Sequence, residues 1–414
     1  MDVRVRPNLE VAQIGDARHD RIHVSPVGTD ELVGVAPSQG RPAARTGVEV
    51  DRGGYRLQRD LRFHQISTGR MIQGIGPAAG VRKCAVPPLP TAPVVPRPSS
   101  VADAVYEVVV YADLFDCANT VAEIQRHAAV PLLDPSAAAR ALREEPLADL
   151  LSRQGDLVCL RGREELFSIR RRRMTSSRGM WRSARRWARC FAAAPFVRMI
   201  AVTGSLAADN AETDADIDLF VVTEPARLWL CRAIFFSVAL AGKAAGMRPL
   251  LCPNYLVTTR ALELGPADRD FYVARELAQM VPLWGQATYE SLRARNAWML
   301  EFQPNGGSRW GAVEPVRLSR LPATLRRGTE RVFAGPLGER LERWEAARAV
   351  PRQWRRAARE GGDVMFGPDV YRGQFSGHGT RIRQRFAERL AANPLACGPA
   401  RPASGGASRS GARA

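Results

Sequence analysis

The chain has 414 residues, with 60 Lys and Arg against 42 Asp and Glu, a net charge of +18. That length predicts two or three domains, and 45% apolar residues can build real cores, so a wholly disordered chain is excluded. The charge itself singles out no partner: only Lys83 and Lys243 are lysines, and a skew this complete towards arginine reads as coding composition, since lysine also binds phosphate.

Cysteines at 84, 117, 159, 190, 231, 252 and 397 are scattered without C-x2-C spacing. With five histidines in the whole chain they assemble no zinc finger, and the pattern predicts a reduced, cytoplasmic compartment. The most lipid-like run, Ala233 to Gly242, lies between Arg232 and Lys243 and is far shorter than the ~20 residues that span a bilayer. No apolar segment follows Met1-Asp2-Val3-Arg4, so neither a signal peptide nor a membrane partner is expected.

Residues 1–100 lack sustained periodicity and end in a proline-rich stretch from Pro87 to Pro98, which predicts a disordered extension. An over-called start, with the native chain beginning near Met71, is the sharper form of that expectation. Order is expected from Val101, where Val101, Val105, Val108, Val109 and Ala112 recur at helical spacing until Asp116-Cys117-Ala118-Asn119. Thr120 and Glu123 form a capping-box pair for a second helix through His127, and Ser136 is placed to cap a third over Ala137–Glu145. Leu150–Ser152 and Leu157–Leu160 flank a hairpin turn at Gln154-Gly155-Asp156. Three helices and a hairpin give residues 101–169 a winged-helix-like order. Six arginines against twelve acids, a net charge of −6, argue for packing or partner docking there and against DNA reading.

Residues 170–198 hold ten arginines and no acid, with Trp181, Trp187 and Phe191 interleaved. Two readings stand: a funnel for a polyanion such as RNA or a nucleoside triphosphate, and an amphipathic helix whose aromatics pack on a core.

The chemistry concentrates in the next stretch. Met199 to Thr203 reads as a buried strand, and Gly204-Ser205 turns the chain into a helix start where backbone N–H groups can hold a phosphate. A second strand runs from Asp216 to Thr223, and the two-residue spacing of Asp216 and Asp218 puts both carboxylates on one face. Adjacent carboxylates repel unless a cation lies between them, and hard oxygen donors favour Mg2+ or Mn2+. An EF-hand beginning at Asp214 fails, because Leu219 and Pro225 stand where glycine and glutamate are needed. A Walker A loop fails at Gly242-Lys243-Ala244.

Thr203-Gly204-Ser205, ten residues, then Asp216-Ile217-Asp218-Leu219 resembles the signature of the nucleotidyltransferase superfamily of the DNA polymerase beta type, with Thr203 less apolar than that pattern prefers. Residues 101–395 also resemble a bacterial group of uncharacterised nucleotidyltransferase-domain proteins, through Tyr111–Asp116, Cys252–Tyr255, Ala274–Gln279 and Tyr371–Gln374 with His378. The resemblance implies an α/β (α+β) fold: a central nucleotidyltransferase domain with a mixed sheet over 170–300, the winged-helix-like module before it, and a helical region over 301–395. It implies that Gly204 and Ser205 hold a nucleoside triphosphate and that Asp216 and Asp218 coordinate magnesium. An acceptor hydroxyl, on a protein, an RNA or a small molecule, would then take the nucleotide and pyrophosphate would leave.

The third carboxylate usual in that superfamily is missing where it is expected, since residues 225–262 hold no acid. The missing acid supports a competing reading, a catalytically weakened nucleotide-binding or regulatory protein. Asn254, on a strand that Pro253 restricts to an edge or a bulge, can orient a water. The nearest later acids are Glu263, Asp268, Asp270 and Glu276, the last on a helix expected over Ala267–Met280 where, with Arg275, structure is its alternative use. Arg227 is placed to reach the triphosphate. The Gly/Ser/Ala tail from Ala396 is expected to be disordered.

Overall fold

The hydroxyl of Ser100 accepts from the Asp103 amide and opens α1 (Val101–Asp113), which is buried on nearly every side from Ala104 onwards. The structure, a computed structural model, describes residues 98–132, 134, 136–246, 251–308, 313–375, 377–392 and 395. The expectations for residues 1–97 and for the tail from Ala396 lie outside the described residues. After β1 (Asn119–Thr120), Thr120 and Glu123 make the reciprocal capping box that their spacing predicts, and α2 (Val121–His127) follows. The third helix, α3 (Ala137–Ala141), stops four residues short of its expected end, and Ser136 donates its hydroxyl to Asp134 at 2.8 Å without capping it. A short α4 (Leu147–Leu150) leads into β2 (Leu151–Gln154), which turns through Gly155 into β3 (Leu157–Leu160). The three strands form an antiparallel sheet in the order β1-β3-β2.

Glu107 lies within the buried run of α1, and burial, reinforced by Asp103, pushes its carboxyl up to about 8 from an ordinary 4.5. The folded state therefore keeps a proton that the unfolded chain releases. This stabilisation is complete below the unfolded pKa of 4.5 and is lost as pH rises through about 8. Urea unfolding between pH 5 and 8.5 should show Glu107→Gln gaining on the wild type by a few kcal/mol as pH rises; parallel curves would contradict it.

The central sheet is built from β4 (Val197–Val202), β5 (Ile217–Thr223), β6 (Leu251–Thr258), β7 (Val281–Trp284), β8 (Gly362–Phe366) and β9 (Val370–Phe375). Its order is β7-β4-β5-β6-β9-β8, with β5 and β6 parallel and every other pairing antiparallel. Between the strands run α5 (Glu165–Ala192), the single turn α6 (Gly204–Ala207), α7 (Leu228–Ala244), α8 (Phe271–Gln279), α9 (Gln286–Arg295), α10 (Arg320–Phe333) and α11 (Pro336–Glu360), and α12 (His378–Ala391) ends the series. Alternation along β4 and β5 divides the core. Ile200, Val202, Leu219 and Val221 face α5, α7 and α11, whereas Met199, Ala201, Phe220 and Val222 face α8 and α9.

Two expectations need correction. Residues 301–395 are not a purely helical region, because β8 and β9 form a hairpin that enters the central sheet. Gly361 and Gly362, at φ of +69° and +112°, break α11, and Val364, Phe366, Tyr371 and Phe375 then turn one face of the hairpin to the core. The helix expected over Ala267–Met280 begins only at Phe271, because Asp270 caps it by accepting from the Val273 amide.

The expected boundaries at 169/170 and 300/301 run through shared cores. Ile382, Phe386 and Leu390 of α12 pack among the residues of α1, and Phe386 lies 5.2 Å from Tyr111 and 5.0 Å from Phe271. Among the described residues, no helix is long and apolar enough to cross a membrane.

Candidate functional site

The site forms where β4 ends beside the start of β5. The Thr203 amide donates to the Asp218 carbonyl at 3.1 Å, so the next residue, Gly204, turns directly over Asp218. Gly204 has φ +66°, and a Cβ there would lie 2.6 Å from Asp218 Oδ2. Glycine is required twice over, for its backbone conformation and for its closeness to the carboxylate. Asp218 shares its face of β5 with Phe220 and Val222, the face that α8 covers.

Asn254 reaches the same place through a bulge. Asp218 opposes Cys252 and Phe220 opposes Tyr255, so Pro253 and Asn254 together stand opposite one residue of β5. The bulge accommodates Pro253, as expected, and β9 pairs with β6 only from Tyr255 onwards. The Asn254 amide donates to Asp218 Oδ1 at 3.0 Å. In this arrangement Asn254 orients a carboxylate.

Glu276 arrives from α8. The Gly204 amide donates to its carboxylate, and the Gln279 amide donates to Glu276 Oε1 at 3.2 Å. Burial pushes the Asp218 carboxyl up to about 7, and the charges of Glu276 and Asp216 add to this, while the Asn254 hydrogen bond works against it. Burial also raises Glu276, opposed by the Gly204 amide, Arg275 and Gln279. Cys252 is pushed up to about 12 by burial and by Asp218 and Asp216. Three carboxylates therefore influence one another at the mouth of a turn that offers backbone N–H groups.

Gly204, Ser205, Asp216, Asp218, Asn254 and Glu276 are all half-buried. Structure thus brings together Gly204, Asp218, Asn254 and Glu276, with Asp216 acting on them electrostatically. Arg227 stands apart, at the other end of β5. Its guanidinium donates to the carbonyls of Phe333 at 3.1 Å and Ala334 at 2.6 Å and lies 5.1 Å from the Phe196 ring, which commits it to packing.

Two residues that sequence reasoning passed over border the site. Tyr272 is raised well above its ordinary value by burial, then by Glu276, Tyr111 and Asp218. Its spacing of four from Glu276 on α8 was the available signal. Arg356 of α11 is the arginine whose charge is felt at Cys252, and no local pattern announced it. Two hollows elsewhere, one beside β2 and one between Trp284 and α10, are lined by none of these residues.

The charges of Glu276 and Asp216 add to the burial that holds the Asp218 carboxyl up to about 7, and a divalent cation would relieve that repulsion among hard oxygen donors. Among the described residues no three His, Cys, Asp or Glu side chains form a ready-made metal cage. Two carboxylates completed by substrate phosphates is an ordinary magnesium arrangement, so the donor set fits. Comparisons of the chain with protein-family models, with curated proteins and with solved structures found no match.

Proposed function

We propose that the protein is a magnesium-dependent nucleotidyltransferase that moves a nucleoside monophosphate from a triphosphate to an acceptor hydroxyl. The observation that carries this reading is the closure of the Gly204 turn over Asp218, which joins a turn suited to phosphate to a half-buried carboxylate. Gly204 and Ser205 would bind the triphosphate through the turn, and Asp216 and Asp218 would hold the cation. When bound, magnesium supplies charge neutralisation at the phosphate oxygens. The acceptor oxygen forms a bond to the α-phosphorus as the bond to the bridging oxygen breaks, pyrophosphate leaves, and the hydroxyl proton passes to a carboxylate of the site. Glu276, on α8, is a third acid beside the two aspartates that could take that proton.

The first module fits this reading as a winged-helix-like docking element. Its chain order α1-β1-α2-α3-α4-β2-β3 and its strand order β1-β3-β2 support that assignment. A second reading, a weakened nucleotide-binding or regulatory protein, is favoured by one observation: the Gly204 amide already donates to Glu276.

Titration of ATP, GTP, CTP and UTP with Mg2+ into the full chain tests the first reading. Binding that requires magnesium and is lost in the Asp216→Ala/Asp218→Ala variant is expected, and pyrophosphate release separates a transferase from a binder. No binding of any triphosphate would remove both readings.

A further inference from the structure

The arginine-rich segment belongs to α5, and the fold divides its arginines by face. Arg170 is buried, where it donates to Glu123 at 2.6 Å, and Arg173 donates to Glu212 at 2.8 Å, so these two serve packing. Arg171, Arg172, Arg178, Arg182, Arg186 and Arg189 are exposed. At 100° per residue, 171, 178, 182 and 189 fall within a narrow stripe opposite the buried Met180, Ala184 and Phe191. The stripe covers about 27 Å at 1.5 Å per residue.

The arginine bias of the chain does not by itself explain this stripe, because α11 carries the same bias with four glutamates among its seven arginines, whereas α5 has one glutamate to nine arginines. On α11 Arg343 pairs with Glu339 at 3.6 Å, Arg348 with Glu345 at 2.6 Å and Arg356 with Glu360 at 2.8 Å. On α5 no acid follows Glu165; Arg172 lies 4.0 Å from Glu212, and among the described residues none of the other five exposed arginines has a carboxylate within ion-pair distance. An uncompensated row of like charge costs self-repulsion, which a polyanion removes.

We infer that the outer face of α5 binds the phosphate backbone of a nucleic acid. Arginine engages phosphate oxygens through two N–H groups at once, and a stripe of four such groups follows a chain of phosphates without reading its bases. A membrane surface fits less well. An interfacial helix needs large apolar side chains beside its basic ones, and no exposed large hydrophobic residue lies on α5. The inference is independent of nucleotide transfer, because none of these arginines belongs to the Asp218 site.

The test is fluorescence anisotropy of the full chain with a 20-nucleotide RNA, the same DNA strand and a 20-base-pair duplex, each at several salt concentrations. Four single-strand phosphate contacts contribute a slope of about −3 to log K against log salt. The R171Q/R178Q/R182Q/R189Q variant should make the slope shallower by about that amount. R340Q/R343Q/R352Q/R359Q, with the same charge change on α11, should leave it near wild type. If the first variant fails to fold, R178Q/R182Q should remove about half of the effect. Equal losses in the α5 and α11 variants, or no salt-dependent binding, would overturn the inference. So would arginine-dependent binding to phosphatidylserine vesicles or polyglutamate without binding to any nucleic acid. The three probes distinguish RNA, single-stranded DNA and duplex as sources of the phosphates.

Discussion

Replacing Arg170 with methionine should destabilise the fold by about 3–5 kcal/mol, the usual cost of leaving one member of a buried ion pair without its partner. Its side chain is 1% exposed and that of Glu123 11%, with Nη2 and Oε1 2.6 Å apart. The other nitrogen, Nη1, donates to the Ala208 carbonyl at 2.8 Å and to Cys117 Sγ at 3.2 Å. One guanidinium thus ties α2 and the end of α1 to Ala208, the residue that closes the Gly204 turn. Total stability of about 5–15 kcal/mol makes such a loss severe. Arg343→Met, in a pair whose side chains are 70% and 52% exposed, should cost under about 1 kcal/mol. Urea unfolding measures both. The Arg170→Met/Glu123→Leu variant should recover much of the loss, because it removes the orphaned charge. If Arg170→Met matched Arg343→Met, the link between the first module and the site turn would be energetically idle.

How much of this was legible in the sequence depended on whether the signal was local. Thr120 and Glu123 are three residues apart, and the capping box follows from that spacing alone. Period two put Asp218 on the face of β5 that carries Phe220 and Val222, although the strand begins at Ile217 and leaves Asp216 just before it. Of the edge or bulge expected from Pro253, the structure has the bulge. Glu276 was harder, because its place against the Gly204 amide is set by how α8 crosses the sheet and not by any spacing to Asp218. Arg227 shows the converse. Nearness in sequence to the end of β5 suggested the triphosphate, but an antiparallel neighbour puts that end against Phe196 and Ala334. The β8–β9 hairpin faces the core with Val364, Phe366, Tyr371 and Phe375, but the apolar Met365 and Val370 beside them break the alternation that announces a strand.

The Gly204 turn can be tested against a second glycine that serves as its control. Gly155, in the β2–β3 turn, has φ +65°, and a Cβ there meets nothing within 4 Å. Gly204 has φ +66°, yet its Cβ would stand 2.6 Å from Asp218 Oδ2 and 3.4 Å from Asp218 Cγ. Alanine at either position pays the same left-handed penalty of about 1–2 kcal/mol. Only at Gly204 must the carboxylate or the turn also move. Gly204→Ala should therefore lose more stability than Gly155→Ala in urea unfolding. Its affinity for a magnesium triphosphate should fall at least about tenfold, the equivalent of 1.4 kcal/mol. Gly155→Ala should bind as wild type does, since its turn touches no residue of the site. Equal stability losses would mean that Asp218 swings aside freely, and an unchanged affinity in Gly204→Ala would mean that the triphosphate is held elsewhere. Because the backbone term cancels between the two variants, their difference isolates a single contact, the one that joins the phosphate turn to the carboxylate beneath it.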